Sequence, residues 1–585
     1  MMNKGVAIKY GDVAPEAKEN FVPTASESEF DTLAQLQQYN LSFQNYANPC
    51  ELYQTVLDGT ATAFPSVPQN VNLGMWSKQI SNDDGSFTEP IILELESVGQ
   101  YSSQGLTLTF DTYNQIYSTR LSIKWLRITD EGITTLDEKE FNPDNAFYFC
   151  RNFVENYNKV VITFYSLNMS KNRLKLRVID YGYGTFFYGN ELRNVKLIQE
   201  LDPISSEITI NTCDFTLDSK ADMEYSFQTK QPLSIYFNGQ LRATTFVKSS
   251  KRKAKFLWQI QSEDYIGVMD RVAFYGGIYA EKLATELINE ICAKAKAVCN
   301  ISSVFDGVTV SGYIPFTTCR DALMQVCFAI GAVVDTSNSD KIEIYQLEDE
   351  IKQTIPLNRI MQGQNFDAEE TVTAVEVTAH NYIAKTDTSS DNWIVVYEAA
   401  QDGIGENILV QFSEPLHNLD TRGAGSIIES GTNYAIITAT DTSFRLAGLG
   451  YDHTTVIKRK SNPVVLASEI EKVVAIQNAT LVNTGNVENI LDRCYDYLTK
   501  VDTTNLKIVE GKHVQYGDYI KYGQAKYGTF KYGAKTPNIV TYDQPVNVGE
   551  NIEAETEYLG IVSGRIIKQT FALNGGIIIK EAVLK

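Results

Sequence analysis

Period-two alternation governs what this chain can fold into. Leu93 and Leu95 alternate with Glu94 and Glu96, and Leu106, Leu108 and Phe110 with Thr107 and Thr109. Leu121, Ile123 and Trp125 alternate with Ser122 and Lys124; Val160, Ile162 and Phe164, then Leu174, Leu176 and Val178, repeat the pattern. Successive side chains of an extended chain point to opposite faces, so each run predicts a half-buried antiparallel strand. This many runs in succession predict a β-sandwich over 66–185. A length of 585 residues exceeds one core, and about three to five domains are expected. Tyr (33) and Phe (27) far outnumber Trp and His (4 each), a profile that suits β-structure.

Strand patterns continue over 190–262, including Ile208–Ile210, Ser234–Phe237 and Lys255–Ile260. The period then changes. Leu283, Leu287, Ile288, Ile291, Cys292 and Ala295 recur at helical spacing over Ala280–Cys299. A second helix follows Gly312-Tyr-Ile-Pro-Phe316: Thr318 with Asp321 reads as a capping box and Gly331 as the C-terminal cap. Val333-Val334, a turn at Ser337–Asp340 and Ile342–Tyr345 read as a hairpin, so 263–350 is expected to be a small α+β domain. Strand alternation returns at Thr371–Thr378 and Trp393–Tyr397, a helix is expected at Val487–Lys500, and Asn574-Gly-Gly576 predicts a turn into Ile577–Ile579. Residues 1–65 read either as an extended arm, with a short helix near Glu29–Tyr39, or as a flexible leader.

Several function classes are disfavoured. A net charge of −21 opposes phosphate binding, which needs a basic footprint. Met1–Ala7 lacks the apolar core of a signal peptide, and no apolar run approaches the ~20 residues that span a bilayer. Synthesis and folding in a cytoplasm are therefore expected. Eight cysteines are scattered without a CxxC pair and read as buried thiols. Cys292 and Cys299 on one continuous helix would lie roughly 10 Å apart, too far to share a zinc ion. His380, His417, His453 and His513 form no ligand motif; there is no GxSxG elbow and no phosphate-binding lysine loop. No catalytic group, metal or cofactor is expected.

Four features are candidates for contacts. Lys248-Ser-Ser-Lys-Arg-Lys-Ala-Lys255 is the one dense basic stretch; Lys251, Arg252 and Lys253 suit either a solvated hairpin tip or docking to an acidic neighbour. Tyr522, Tyr527 and Tyr532 recur every five residues, each followed by Gly. An odd period alternates faces, so a looped hairpin presenting tyrosines to a partner is expected; a second Tyr/Gly patch at 181–189 reads as packing or as linker. Trp76 is either core or a rim platform for a sugar. Ser81-Asn-Asp-Asp-Gly85 suits a tight turn better than a calcium loop.

Leu192–Ile208 (beginning Leu-Arg-Asn-Val-Lys and running through Glu200-Leu-Asp-Pro-Ile204), Pro232–Gly239, Glu263-Asp-Tyr-Ile-Gly-Val-Met-Asp270 and Gly312–Leu323 follow one another in an order that resembles the hub proteins at the tip of bacteriophage tails. The order Trp76, Ile91–Glu96, Ser103–Phe110, Lys159–Phe164, Leu176–Asp180 resembles discoidin-like, galactose-binding jelly rolls. The hub resemblance implies a mainly β multidomain chain: a jelly roll (66–185), a first tail-tube-like barrel (190–262), the α+β domain (263–350), and a second barrel from 360–380 and 502–585. Residues 381–501 would be an insertion, and no wall-degrading domain is expected after the last strand. It implies a homotrimer whose two barrels per chain continue the tail tube. The neighbours implied are a tube or distal tail protein, the tape-measure protein and a tip or spike, with DNA as passing cargo and the virion as location. The jelly-roll resemblance adds cell-surface glycan.

Overall fold

The alternating runs become strands in the computed structural model. It describes residues 6–13, 17, 20–26, 75–111, 114–129, 132–219, 227, 230–237, 240–356, 365–368, 372–389, 392–461, 472–476, 480–498, 526–532, 547–556, 560–574 and 577–584. Two compact units are present: Met1–Arg193 with Thr216–Ile260, and Asn194–Phe215 with Gln261–Lys585. Elements are numbered along the whole chain.

The first unit contains β1 (Val6–Val13), β2 (Val22–Ala25), β3 (Met75–Ile80), β4 (Ser86–Thr109), β5 (Ser118–Thr129), β6 (Gly132–Phe141), β7 (Phe147–Leu167), β8 (Arg173–Leu176), β9 (Val178–Asp180) and β10 (Gly182–Tyr188). Strands β2-β4-β7-β5-β6 form one sheet in that order, with β9 also on β4, and β3 pairs with β8. Register explains the core. Leu93 and Ile123 both lie opposite Ile162, and these three, with Leu95, Leu106, Leu108, Leu121, Trp125 and Phe164, are at most 1% exposed. Each such side chain contributes about 2 kcal/mol through burial. Met75, Leu174 and Leu176 of the β3–β8 pair join the same core, which makes the unit a β-sandwich.

Strand β1 lies between β10 and β13 (Pro232–Phe237), with Ile8 opposite both Phe187 and Ile235. Lys9 is buried there, its ammonium 2.6 Å from Asp180. β14 (Gln240–Ala254) forms a hairpin with β13. The chain passes between the units after Arg193, in β12 (Thr212–Asp218) and in β15 (Leu257–Glu263).

In the second unit β11 (Leu192–Glu200) pairs antiparallel with β36 (Gly560–Asn574), Leu197 opposite Phe571. The sheet continues through β37 (Ile577–Leu584) and β34 (Lys526–Tyr532) to β24 (Asn365–Ala368). β35 (Asn551–Thr556) joins β36 to β23 (Ile351–Ile355). The described strands form open sheets and close no barrel.

Helices α1 (Tyr265–Met269), α2 (Ala284–Lys294) and α3 (Cys319–Ile330) share one core with β18 (Cys299–Ile301), β21 (Val333–Asp335) and β22 (Ile342–Tyr345). α3 starts where its cap predicts: Thr318 Oγ1 accepts the Asp321 N–H at 3.1 Å. It ends at Gly331, left-handed at φ 77°, a conformation that suits glycine. α2 begins at 284 instead of 280. Gly277–Leu283 is the strand β17, paired with β19 (Thr309–Ile314) through a bulge at Tyr279/Lys282, so backbone pairing overrides the helical period there. β16 (Ala273–Phe274) and β20 (Thr317–Thr318) make a further short pair. Ile208–Ile210 is no strand; the Arg320 side chain holds the Ile208 carbonyl instead.

β25 (Ala374–Ala384) pairs with β32 (Tyr451–Ser461) and β33 (Val473–Ile476), and helix α4 (Val487–Leu498) packs Ile490, Leu491 and Cys494 beside Val375 and Val377. Between β25 and β32, β26 (Trp393–Glu398), β31 (Arg445–Leu449) and β28 (His417–Arg422) form one sheet. β27 (Asn407–Gln411), β30 (Tyr434–Ala439) and β29 (Gly425–Ser430) form another, and the two sheets share a core around Phe412, Ile437 and Phe444. Among the described residues no helix is long and apolar enough to cross a membrane.

Removing one partner of a buried ion pair leaves an uncompensated charge, at a cost of about 3 kcal/mol. Lys9→Ala is expected to cost this much in the urea transition that reports the first unit, because Asp180 is 1% exposed at the pair. A change below about 1 kcal/mol would show that the pair does not hold β1 in its sheet.

Candidate functional site

The polar residues of the stretch from Leu192 to Tyr345 converge on a buried joint in the second unit. Asp264 caps α1, accepting the Gly267 N–H at 3.1 Å. The same carboxylate accepts the Asn211 N–H at 3.1 Å and the Thr336 hydroxyl at 2.6 Å. Asn211 returns the contact: its amide donates to Thr336 at 2.8 Å, and its Oδ1 takes the Glu200 N–H at 2.8 Å. Asp264, Asn211 and Thr336 are at most 4% exposed. The carboxylate thus ties the approach to β12, helix α1 and the end of β21, and Asn211 extends the tie to the end of β11. Burial pushes the Asp264 carboxyl up to about 6, against the opposing hydrogen bonds from Thr336, Asn211 and Gly267.

Two arginines of the same unit also hold main chain. Arg320, on α3, donates through Nε and Nη2 to the Ile208 carbonyl at 2.8 and 2.6 Å and through Nη1 to Asp270 at 3.2 Å. This fork takes the place of a strand ladder at 208–210. Arg565, on β36, donates to the Gly549 carbonyl at 2.5 Å, the Glu348 carbonyl at 3.0 Å and Asp349 at 2.9 Å. Gly312 explains the glycine of the 312–323 run: at φ 139°, a Cβ there would lie 2.7 Å from the Thr480 carbonyl. These groups face the main chain and one another, so what they do chemically is positional. Asn211, Asp264, Arg320 and Arg565 were not singled out from sequence. The signal available was weak: polar residues within otherwise apolar runs.

The sequence-derived candidates lie elsewhere. Lys251, Arg252 and Lys253 sit in an exposed stretch of β14, just before the turn at Lys255-Phe256 that leads into β15; Arg252 stacks over Trp258 at 5.2 Å and donates to the Lys255 carbonyl at 3.1 Å. Tyr522 lies outside the described residues, whereas Tyr527 and Tyr532 belong to the strand β34 and so to no loop, paired with β24 and β37. Trp76 is fully buried beneath the Lys175 ammonium, 4.6 Å from the ring; it presents no face to a sugar, which corrects the rim reading. The 82–85 loop is a turn: Asp84 accepts the Ser86 N–H at 2.9 Å. In the second Tyr/Gly patch Tyr181 stacks on Phe21 at 4.5 Å, inside its own core.

Two groupings escaped sequence reading. His380 and His453 meet across β25 and β32, Nδ1 to Nε2 at 3.0 Å, with Tyr382 stacked 4.4 Å from His453. Among the described residues no group of three His, Cys, Asp or Glu could hold a metal ion. A cavity of about 230 Å³ opens on the first unit, lined by Gln115, Asn145, Phe147, Thr185, Phe186 and Tyr188 with Ala146. Phe186 and Tyr188 stack at 5.8 Å and Phe147 meets Phe186 edge-on at 5.2 Å.

No family model matches the chain, and no curated protein does. Solved structures similar to it include the 43 kDa tail protein of prophage MuSo2 from Shewanella oneidensis, 8% identical at a TM-score of 0.40 over 68% of this chain and 95% of that one. A tail protein from Neisseria meningitidis is 9% identical, with a TM-score of 0.40 over 68% and 97% of the two chains. The prophage tail protein gp18 from Listeria monocytogenes is 11% identical, with a TM-score of 0.34 over 69% and 91%. All three are described as tail proteins, two of them from prophages; at such values the likeness by itself decides neither fold nor function.

Two outcomes test the joint. Asp264→Ala leaves three buried donors without their acceptor, each worth about 1 kcal/mol, and is expected to destabilise the second unit by about 3 kcal/mol in urea. The pH dependence follows from the raised pKa. Between about 4 and about 6 the folded chain holds a proton that the unfolded chain has lost, since the group moves from 3.8 to about 6. Stability from this group therefore falls as pH rises through that window, by about 3 kcal/mol in all. Asp264→Asn removes that component, so urea midpoints from pH 4 to 7 should differ in slope between the two proteins. Parallel profiles would refute the assignment.

Proposed function

We propose that this protein is a structural subunit of a tail-tip or baseplate hub in a phage or phage-derived particle. On this reading it forms a homotrimeric ring that continues the tail tube and anchors tip proteins for host attachment and DNA delivery. The observation that carries it is the use made of the 192–345 stretch, the part that resembles tail hubs. Its polar residues, Asp264, Asn211 and Arg320, are spent on holding a three-helix unit to strand β11. The same sheet gathers strands from 192–200, 365–368 and 526–584 around inserted segments, an arrangement suited to transmitting load.

The partners proposed are a tube or distal tail protein, the tape-measure protein and a tip or spike; the location is the virion, after synthesis in the host cytoplasm. The net charge of −21 suits a lumen through which DNA passes without sticking. Lys251, Arg252 and Lys253 are proposed docking contacts for an acidic neighbour, and Tyr522, Tyr527 and Tyr532 contacts for a second. Native mass spectrometry with negative-stain averaging tests the proposal, on the chain alone and mixed with a tube or distal tail protein from the same particle. A trimeric ring with a central channel is expected, and Lys251→Glu/Arg252→Glu/Lys253→Glu should weaken its association with that neighbour about tenfold or more at low salt. A chain that stays monomeric in both preparations would sink the proposal.

A second reading is favoured by the cavity on the first unit: receptor binding through cell-surface carbohydrate. Stacked rings beside amides and a hydroxyl combine an apolar platform with convergent polar groups, here Phe147, Phe186 and Tyr188 with Gln115, Asn145 and Thr185. Glycan-array binding that falls at least about tenfold in Tyr188→Ala, the loss of a contact worth about 1.4 kcal/mol, is the expected outcome. An array without signal for the wild-type chain removes this reading and leaves the hub reading standing.

A further inference from the structure

Helix α2 stops at Lys294, and the chain doubles back at once. The Ala297 N–H returns to the Cys292 carbonyl at 2.9 Å, and Lys296 takes a left-handed φ of 54°. β18 therefore starts beside the helix that the chain has just left. Cys299 donates to Asn289 Oδ1 at 3.4 Å, and Asn289 precedes Cys292 by three residues on the same helix, one turn below it. Cys299 also packs against the apolar cluster that contains Cys292, so the two thiols are neighbours and each shifts the acidity of the other. A continuous helix would hold them roughly 10 Å apart; the reversal brings them together.

The two differ in the way an exchange reaction needs. Cys292 is 1% exposed in the core, whereas Cys299 is half-buried. The neighbouring Cys292 holds the Cys299 thiol below its ordinary value, while Cys299, with burial, pushes Cys292 up. Reagents in solution thus meet the more acidic sulfur first.

We propose that Cys292 and Cys299 are a reversible oxidation site that closes to an intrachain disulfide by exchange with a small disulfide such as oxidised glutathione. The Cys299 thiolate attacks one glutathione sulfur, forming a mixed disulfide and releasing one glutathione thiolate. Cys292 then loses its proton to water and attacks the Cys299 sulfur, releasing the second thiolate. Two cysteine thiols are oxidised and one glutathione disulfide is reduced to two thiols. A reducing cytoplasm keeps the pair open and an oxidising exterior closes it. Closure ties the last turn of α2 to β18, which pairs with β22 at Ile342.

Trypsin makes the test direct, because Lys294 and Lys296 separate the two sulfurs. The full chain is incubated with oxidised glutathione, its remaining thiols are alkylated, and it is then unfolded and digested without reductant. Peptides 283–294 and 297–320 are expected as one joined species that reductant separates. Peptide 297–320 also holds Cys319, so the link should survive in Cys319→Ala and vanish in Cys299→Ser. If a variant fails to fold, fragmentation of the joined wild-type species identifies the linked sulfur. An unchanged thiol count, a glutathione adduct that stays on Cys299, or a link through Cys319 would each overturn the proposal.

Discussion

The buried carboxylate of Asp264 is the interaction on which the second unit depends. An ionised carboxylate taken from water loses several kcal/mol unless donors replace the solvent. Here the donors come from three separate places, Asn211, Gly267 and Thr336. The penalty is met only when the approach to β12, α1 and the end of β21 are all in position, so the carboxylate punishes partial assembly. Arg320 extends the same logic by gripping a carbonyl that no strand neighbour takes. Apolar burial makes the α2–α3 core stable, while the polar joint fixes its direction relative to the sheet that carries β11.

Legibility from sequence follows the range of the interaction. Alternation in 93–95, 106–110, 121–125 and 160–164 depends on the nearest neighbours of each residue, and those side chains are the buried row of the sandwich. The Thr318 cap and the Gly331 stop are equally local and stand where expected. Ala280–Leu283 was misread because its helical period competes with pairing to Thr309–Ile314, a partner that the local pattern cannot reveal. The reading of Ile208–Ile210 failed for the same reason, since the Arg320 fork comes from far along the chain. The local pattern does not decide between core and rim for Trp76; the deciding contact is Lys175, again distant.

Spacing arguments also fail wherever the chain reverses. The separation inferred for Cys292 and Cys299 assumes a helix that runs through both, and Lys296 ends that assumption with one left-handed residue. His380 and His453 share no motif, yet antiparallel register places Tyr382 opposite His453 and His380 opposite Thr455, which brings the imidazoles into hydrogen-bond range. Motif searches keyed to short spacing do not see constellations made by strand pairing.

Charge placement gives the hub proposal its most specific consequence. In the first unit Lys9, Arg173, Lys175, Arg177 and Arg242 are buried, at most 9% exposed, and in the second Arg565 is buried too. Buried carboxylates, Asp180 beside Lys9 and Asp111 beside Lys175 among them, match most of these cations, so the net charge of −21 is carried by the exposed surface. Like charges raise the cost of approach between copies of such a surface. Against that background Lys248–Lys255, exposed along the end of β14 and into the turn, is a concentrated attractor for an acidic partner. A ring of such chains would then be set in register less by apolar area than by where this basic segment meets its neighbour's carboxylates.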